Sequence, residues 1–262
     1  MINIIAVDIG NTNITVALYL KGEEKVIESV SGESKDKLTE LLRSAWGQIP
    51  VVRSSKEKKR DGVIVVSSVK PVWTKLVRAI AKDELGEKIY LIGEDIPLPM
   101  DLRVDEPDKV GTDRVVSAAA AYAVVEDAVV VADFGTAVTI DMVDEKGVFV
   151  GGVICPGFDI SAKALKENTA QLPKVKVKKP KEPYGKNTVE AVNNGLYYSA
   201  VGLLRCVVEK YAEKIGKWPS TVITGAAAGI IKDDCDFIDS FVTDLPVKGI
   251  VLTYRKYIEQ KE

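Results

Sequence analysis

An α/β protein of two related lobes, each a mixed sheet flanked by helices, is what this sequence predicts, and three observations carry the prediction. Short β-branched apolar runs alternate with segments whose apolar residues recur at helical spacing. The strand, acidic turn and strand of residues 4–18 return at 128–142, with Asp133 standing 125 residues after Asp8. Finally, 262 residues that are 46% apolar suffice for one large core or two small ones without disulfides or a structural metal.

The elements follow in order. Residues 2–7 (INIIAV) and 14–20 (ITVALYL) read as strands joined through DIGNTN, and a third strand over 24–30 follows the Lys21-Gly22 turn. Leu38, Leu41, Leu42, Ala45 and Trp46 then mark a helix entered through Ser34. Residues 63–67 form a buried-type strand, Pro71 opens a helix carrying Val72, Leu76, Val77 and Ile80, and 88–92 is a further strand. The stretch 93–110, with Pro97, Pro99 and Pro107, reads as a connecting loop before an alanine-rich helix from Thr112 to Val125. A boundary is expected there, giving lobes over 1–110 and 111–262. The second lobe repeats the pattern: strands over 128–142, a third near 148–154 after Lys146-Gly147, helices near 159–169 and from Thr188 to Ile215, a strand at 220–224 and a final helix through Tyr254. Two βββαβαβ-like lobes are the simplest architecture.

Composition removes whole classes of function. Thirty-six Lys and Arg against 38 Asp and Glu, net −2, argue against a general nucleic-acid or anionic-membrane binder and leave a small molecule as the expected partner. The absence of histidine removes serine and cysteine hydrolase triads, histidine bases and histidine-ligated metals together. Cys155, Cys206 and Cys235 show no paired spacing, so a reduced, cytoplasmic setting is expected. No basic leader precedes the first strand, and no apolar run approaches the ~18 residues of a membrane span. GxxxxGK[ST] is missing and no GxGxxG follows a strand, so a phosphate must be held by neither a P-loop nor a Rossmann turn.

Two constellations remain. In Asp8-Ile9-Gly10-Asn11-Thr12-Asn13, a carboxylate at a strand end precedes a glycine turn, which offers backbone N–H groups to phosphate and an acid to its Mg²⁺. Asp, Asn and Gly also cluster in turns for local reasons alone. The second copy at Asp133, Gly135 and Thr136 favours function, because two such turns facing each other across a cleft can grip one triphosphate. Gly111-Thr112-Asp113-Arg114 opens the alanine-rich helix. Asp113 there is either a first-turn partner of the helix dipole or the base for an attacking hydroxyl, with Arg114 as a fork for carboxylate or phosphate. Spacing alone does not choose.

Taken together, DIGNTN at 8–13, GTDR at 111–114, DFGTAVTID at 133–141 and GGVICPG at 151–157 with Leu172-Pro173 resemble the type III pantothenate kinase family, over essentially the whole chain and in family order. The resemblance implies a duplicated ribonuclease H-like fold of the acetate and sugar kinase/Hsp70/actin superfamily. It implies ATP-dependent phosphorylation of pantothenate to 4′-phosphopantothenate, the first step toward coenzyme A. Carried onto these positions, Asp113 is the catalytic base, and Gly111, Thr112, Arg114 and Thr188 contact pantothenate. Asp8, Ile9, Gly10, Asn11, Thr12, Asn13, Ile14 and Thr15 hold the ATP phosphates, with Asp8 nearest the Mg²⁺. Asp133 holds a monovalent cation, K⁺ or NH₄⁺, Thr136 contacts ATP, and the protein is a homodimer. Phosphoryl transfer needs alignment and charge neutralisation more than covalent chemistry, so a carboxylate base with Mg²⁺ suffices without histidine.

Two positions depart from the family pattern: Val104 stands where an aromatic residue is usual, and Ala226 follows Gly225 where a second glycine is usual. They motivate two alternatives, a kinase for another small hydroxy acid and a nucleotide-binding regulatory homologue without turnover. The basic runs 56–61 and 174–183 read as solvated loops, the second able to draw in anions. Trp46, Trp73 and Trp218 read as packing residues. Tyr197, Tyr198, Leu203 and Leu204 read as core, with a dimer interface as the alternative.

Overall fold

The computed structural model describes residues 2–52 and 59–261; of the basic run 56–61, residues 56–58 lie outside the described residues. The first sheet holds β1 (Asn3–Ile9), β2 (Asn13–Leu20), β3 (Glu23–Ser31), β4 (Gly62–Ser68) and β5 (Ile89–Leu91) in the order β3-β2-β1-β4-β5. The second holds β6 (Val129–Phe134), β7 (Ala137–Val143), β8 (Phe149–Pro156), β9 (Ser220–Thr224) and β10 (Ser240–Phe241) in the order β8-β7-β6-β9-β10. The two orders are identical, with antiparallel hairpins at the first three strands and parallel pairing onto the fourth and fifth. The duplication read from the sequence is therefore a duplication of topology.

The connecting helices are α1 (Lys35–Gln48), α2 (Pro71–Leu85), α3 (Thr112–Val125), α4 (Phe158–Glu167), α5 (Thr188–Ile215) and α6 (Leu245–Glu259). Local signals mark α2 and α5 most clearly. Pro71 sits in the first turn of α2, where no N–H partner is needed, and Gly86 ends that helix in the left-handed region at φ 70°. Ser34 does precede α1, but its side chain makes no capping bond. Asn187 caps α5 by accepting from the Glu190 N–H at 3.0 Å, while the Glu190 carboxylate accepts from the Lys186 N–H at 2.8 Å.

Two departures from the expected pattern stand out. β10 and two 3₁₀ turns, Ala228–Ile230 and Lys232–Asp234, occupy the place that α2 and β5 hold in the first half. Gly225, Gly229 and the Asp233-Asp234 pair deprive that stretch of helix propensity. The division into compact units also differs from the expected cut at 110/111. One unit comprises residues 1–100, 108–120 and 246–262, the other 101–107 and 121–245. α6 follows the second sheet in the chain yet packs on the first: Val247, Ile250, Val251 and Tyr254 share a buried cluster with Val116 of α3 and with Ile4, Ala6, Ala17 and Val65.

Within the first unit the strand period of two separates the faces. Ile5, Val7 and Ile9 of β1 meet α1 and α2, while Ile4 and Ala6 meet α3 and α6. In the second unit Val130, Ala132 and Phe134 meet α5 and the 3₁₀ segment, where Tyr197, Leu204 and Val208 are fully buried. No described helix is long and apolar enough to cross a membrane.

Candidate active site

Asp8 continues the Ile4, Ala6 face of β1, one step past the apolar cover of α3 and α6. Its register partners are Thr15 on β2 and Ser67 on β4, and Thr15 is opposite Ser29 on β3. Residues opposite one another in register share a face. The sheet therefore ends in a polar row, Ser29, Thr15, Asp8 and Ser67, in which the Thr15 and Ser29 hydroxyls are 2.6 Å apart.

The turn beyond Asp8 is closed by backbone, the Gly10 N–H donating to Asn13 O at 3.0 Å. The Asn11 and Asn13 side chains are exposed. The turn itself does not require glycine. A Cβ on Gly10 would meet nothing nearer than Asn13 O at 3.4 Å, and on Gly135 nothing nearer than Asp133 Oδ1 at 3.4 Å. What glycine leaves at these two tips is room for an outside group to approach the backbone N–H.

The GTDR segment belongs to the same unit and is tied to the polar row. Thr112 Oγ1 lies 3.1 Å from Ser67 Oγ, accepts from the Ser68 N–H at 3.2 Å and lies 3.2 Å from Ser68 O. Its hydroxyl is thus engaged in anchoring the start of α3 to the end of β4. Gly111 makes room for the acid that follows, since a Cβ there would sit 2.5 Å from Asp113 Oδ1. Asp113 Oδ1 accepts from the Arg114 N–H at 2.8 Å. That bond and the Arg114 charge both favour the carboxylate, yet burial outweighs them and holds Asp113 above the ordinary Asp range. Burial thus disposes Asp113 to hold a proton more readily than an exposed first-turn acid would.

The second unit carries the parallel arrangement. Asp133 lies one residue before the end of β6, with Thr139 on β7 and Thr224 on β9 opposite it in register, so Thr139 is the counterpart of Thr15. The Thr224 hydroxyl is buried and, among the described residues, has no hydrogen-bond partner. Here glycine is obligatory: Gly225 has φ 95°, and a Cβ on it would lie 2.4 Å from Asp133 Oδ1 and 2.6 Å from the Phe134 backbone. Ala226 beside it is exposed. The exposed tip, Gly135 and Thr136, is braced by Gly157, whose N–H donates to Thr136 O at 3.1 Å.

Of the expected phosphate-binding run, Ile9 and Ile14 are fully buried, so only their backbone can reach a ligand. Thr188 is the exposed first residue of α5. The hydroxyls of Ser67, Thr139 and Thr224 escape sequence reading because only register sets them beside the acids. The available signal is a hydroxyl near the end of an apolar run, as in VIVVSS and TVITG.

Among the described residues no group of three or more His, Cys, Asp or Glu could form a protein cage for a metal. Mg²⁺ keeps most of its water and is commonly held by one or two carboxylates with substrate phosphates. Asp8, with its Oδ1 buried at the mouth of a backbone N–H turn, fits that role. Asp133 with the Thr224 hydroxyl is an all-oxygen set and fits a hard monovalent cation.

Two five-stranded sheets of one order, each ending its first strand in an acid and a glycine turn, define a duplicated actin-like fold. Among solved structures, a Baf family transcriptional activator from Campylobacter jejuni is similar at a TM-score of 0.61 and 17% identity, over 98% of both chains. MreB 5 of Spiroplasma citri bound to AMPPNP is similar at 0.54 and 11% identity, over 100% of this chain and 99% of that one. At these identities the likeness is one of fold. Sequence resolves the family: the type III pantothenate kinase model matches residues 4–210. The type III pantothenate kinase of Syntrophotalea carbinolica is 34% identical over 259 residues, 96% of this chain and 98% of the relative. The chain belongs to the type III pantothenate kinase family.

Proposed function

We propose that this chain transfers the γ-phosphoryl group of ATP to the primary hydroxyl of pantothenate, giving 4′-phosphopantothenate on the way to coenzyme A, and that its residues divide the work as follows. The observation that carries the reading is the coupling of two acids within one unit: the Thr112 to Ser67 contact fixes the start of α3, and so Asp113, against the row that contains Asp8.

Asp113 accepts the proton of the attacking hydroxyl, and its raised affinity for that proton matches the task. The N–H groups of the Asp8–Thr15 turn receive the phosphates, and Asp8 holds Mg²⁺ through them. When bound, Mg²⁺ neutralises charge on the phosphate oxygens. Gly111 and Arg114 line the pantothenate site, Arg114 opposite its carboxylate. Thr112 acts there as the anchor, and Thr188 adds a hydroxyl contact. Asp133 with Thr224 binds K⁺ or NH₄⁺, and Thr136 contacts ATP. Exposed Ile154 on edge strand β8 and exposed Tyr198 on α5 support a homodimer, which light scattering on the purified protein tests. Three free cysteines support a reducing, cytoplasmic setting.

The test of the reaction is product identification. Purified protein with MgATP, K⁺ and pantothenate should form phosphopantothenate by mass spectrometry in step with ADP release, and far less in Na⁺ alone. ADP release with another hydroxy acid but none with pantothenate would contradict the substrate assignment.

A further inference from the structure

We propose that Lys70 is a phosphate-binding residue whose ammonium supplies the positive charge that the Asp8–Asn13 turn lacks. The inference rests on the reading of that turn as the phosphate site. Pro71 confines the residue before it to extended backbone, and Lys70 is found there at φ −132°, ψ 91°. The Val69 N–H donates to Ile9 O at 3.1 Å, which carries the β4 to β1 pairing past Ser68 and brings Lys70 alongside the turn. From that position its Nζ donates to Asn11 O at 2.8 Å and lies 3.3 Å from the centre of the Trp73 ring.

The support beneath it is rigid. Trp73 is buried, and a Cβ on Gly32 would come within 2.3 Å of its ring, so the ring lies directly on that backbone. The Gly32 N–H in turn donates to Thr12 O at 3.3 Å. Turn, ring and lysine are therefore one assembly. Its electrostatics are uncompensated: a carbonyl and a ring face hold the ammonium without neutralising it. Among the described residues no carboxylate forms an ion pair with Lys70, whereas Lys179, Lys210 and Lys217 all have one. An ammonium has three protons, and one is spent on Asn11 O. With a second turned to the Trp73 ring, the third remains for an anion at a turn whose own side chains contribute only the negative Asp8. The N-terminus of α2 begins at the next residue and adds partial positive charge in the same place. A polyphosphate is the ligand this suits, since a charge-assisted N–H to phosphate bond forms without displacing an existing partner.

Calorimetry on the full chain with MgATP, MgADP and adenosine, for wild type, Lys70→Met and Lys70→Arg, tests the proposal. Lys70→Met should weaken MgATP binding about 10- to 100-fold, leave adenosine binding unchanged and flatten the salt dependence of MgATP affinity. Lys70→Arg should restore most of the loss, and the KM for pantothenate should stay near wild type in both. Unchanged MgATP affinity and salt dependence in Lys70→Met would overturn the proposal. So would an equal loss of adenosine binding, which marks a damaged fold rather than a missing charge. Because the readout is nucleotide binding, a wild type that binds ATP but phosphorylates a different alcohol contradicts the pantothenate reading and leaves the Lys70 result valid; a wild type that binds no nucleotide overturns both.

Discussion

Gly111 has no side chain because Asp113 occupies the space one would take, and that single contact links stability to chemistry. With Gly111→Ala, either the new methyl or the carboxylate 2.5 Å from it must move. Displacing a base by a fraction of an ångström costs rate more than fold. The variant should lose about tenfold or more in kcat while its melting temperature moves by only a few degrees, as steady-state kinetics and calorimetric melting will show. Asp113 itself carries a pH signature. Its folded-state pKa is raised, so the stability it contributes is fully present below the unfolded Asp value and is lost as pH rises through the folded one. Asp113→Asn should therefore stabilise the fold at pH 8 relative to wild type, and by less at pH 4. Melting temperatures measured at both pH values check the sign. With Asp113 as the proposed base, the acid limb of the wild-type pH–rate profile should lie above the ordinary Asp range.

At the scale of elements, close approach separates two kinds of helical glycine. Gly249 on α6 lies against α3, where a Cβ would fall 2.0 Å from Val116 O, so the helices cross at the backbone. Gly195 is exposed inside α5 with nothing within 4 Å of the same added atom. Gly249→Ala should cost about 1–3 kcal/mol through overpacking, whereas Gly195→Ala should gain about 0.5–1 kcal/mol through helix propensity. Chemical denaturation of the two variants measures both signs. The helices and strands were legible because periodicity acts locally and Pro71 opens α2 as expected, whereas Ser34 precedes α1 without capping it, and the caps at Asn187, Gly86 and Gly216 were not read. β10 was not legible, since two exposed residues carry no period.

For the whole molecule, repetition was the most legible feature. One pair of acid and glycine turns in the sequence anticipated two sheets of identical strand order. The path of the last helix was hidden: α6 leaves the second sheet and completes the apolar cover of the first, and an amphipathic helix does not record which sheet it covers. The site divides the same way. Asp8, Asp113 and Asp133 announce themselves as acids in turn or helix-start contexts. Ser67, Thr139, Thr224 and Lys70 become visible only when strands are laid in register, because residues 59 positions apart such as Asn11 and Lys70 meet through pairing rather than spacing. The proposed function at this scale is the alignment of a phosphate turn with a buried base, and removing that base alone examines the alignment most directly. The decisive measurement compares Asp113→Asn with wild type for pantothenate-dependent turnover and, in parallel, for MgATP affinity. A fall in kcat of about 10²- to 10⁴-fold, with MgATP affinity retained, is the expected result for a lost general base; an unchanged kcat would contradict the assignment of Asp113 as the proton acceptor.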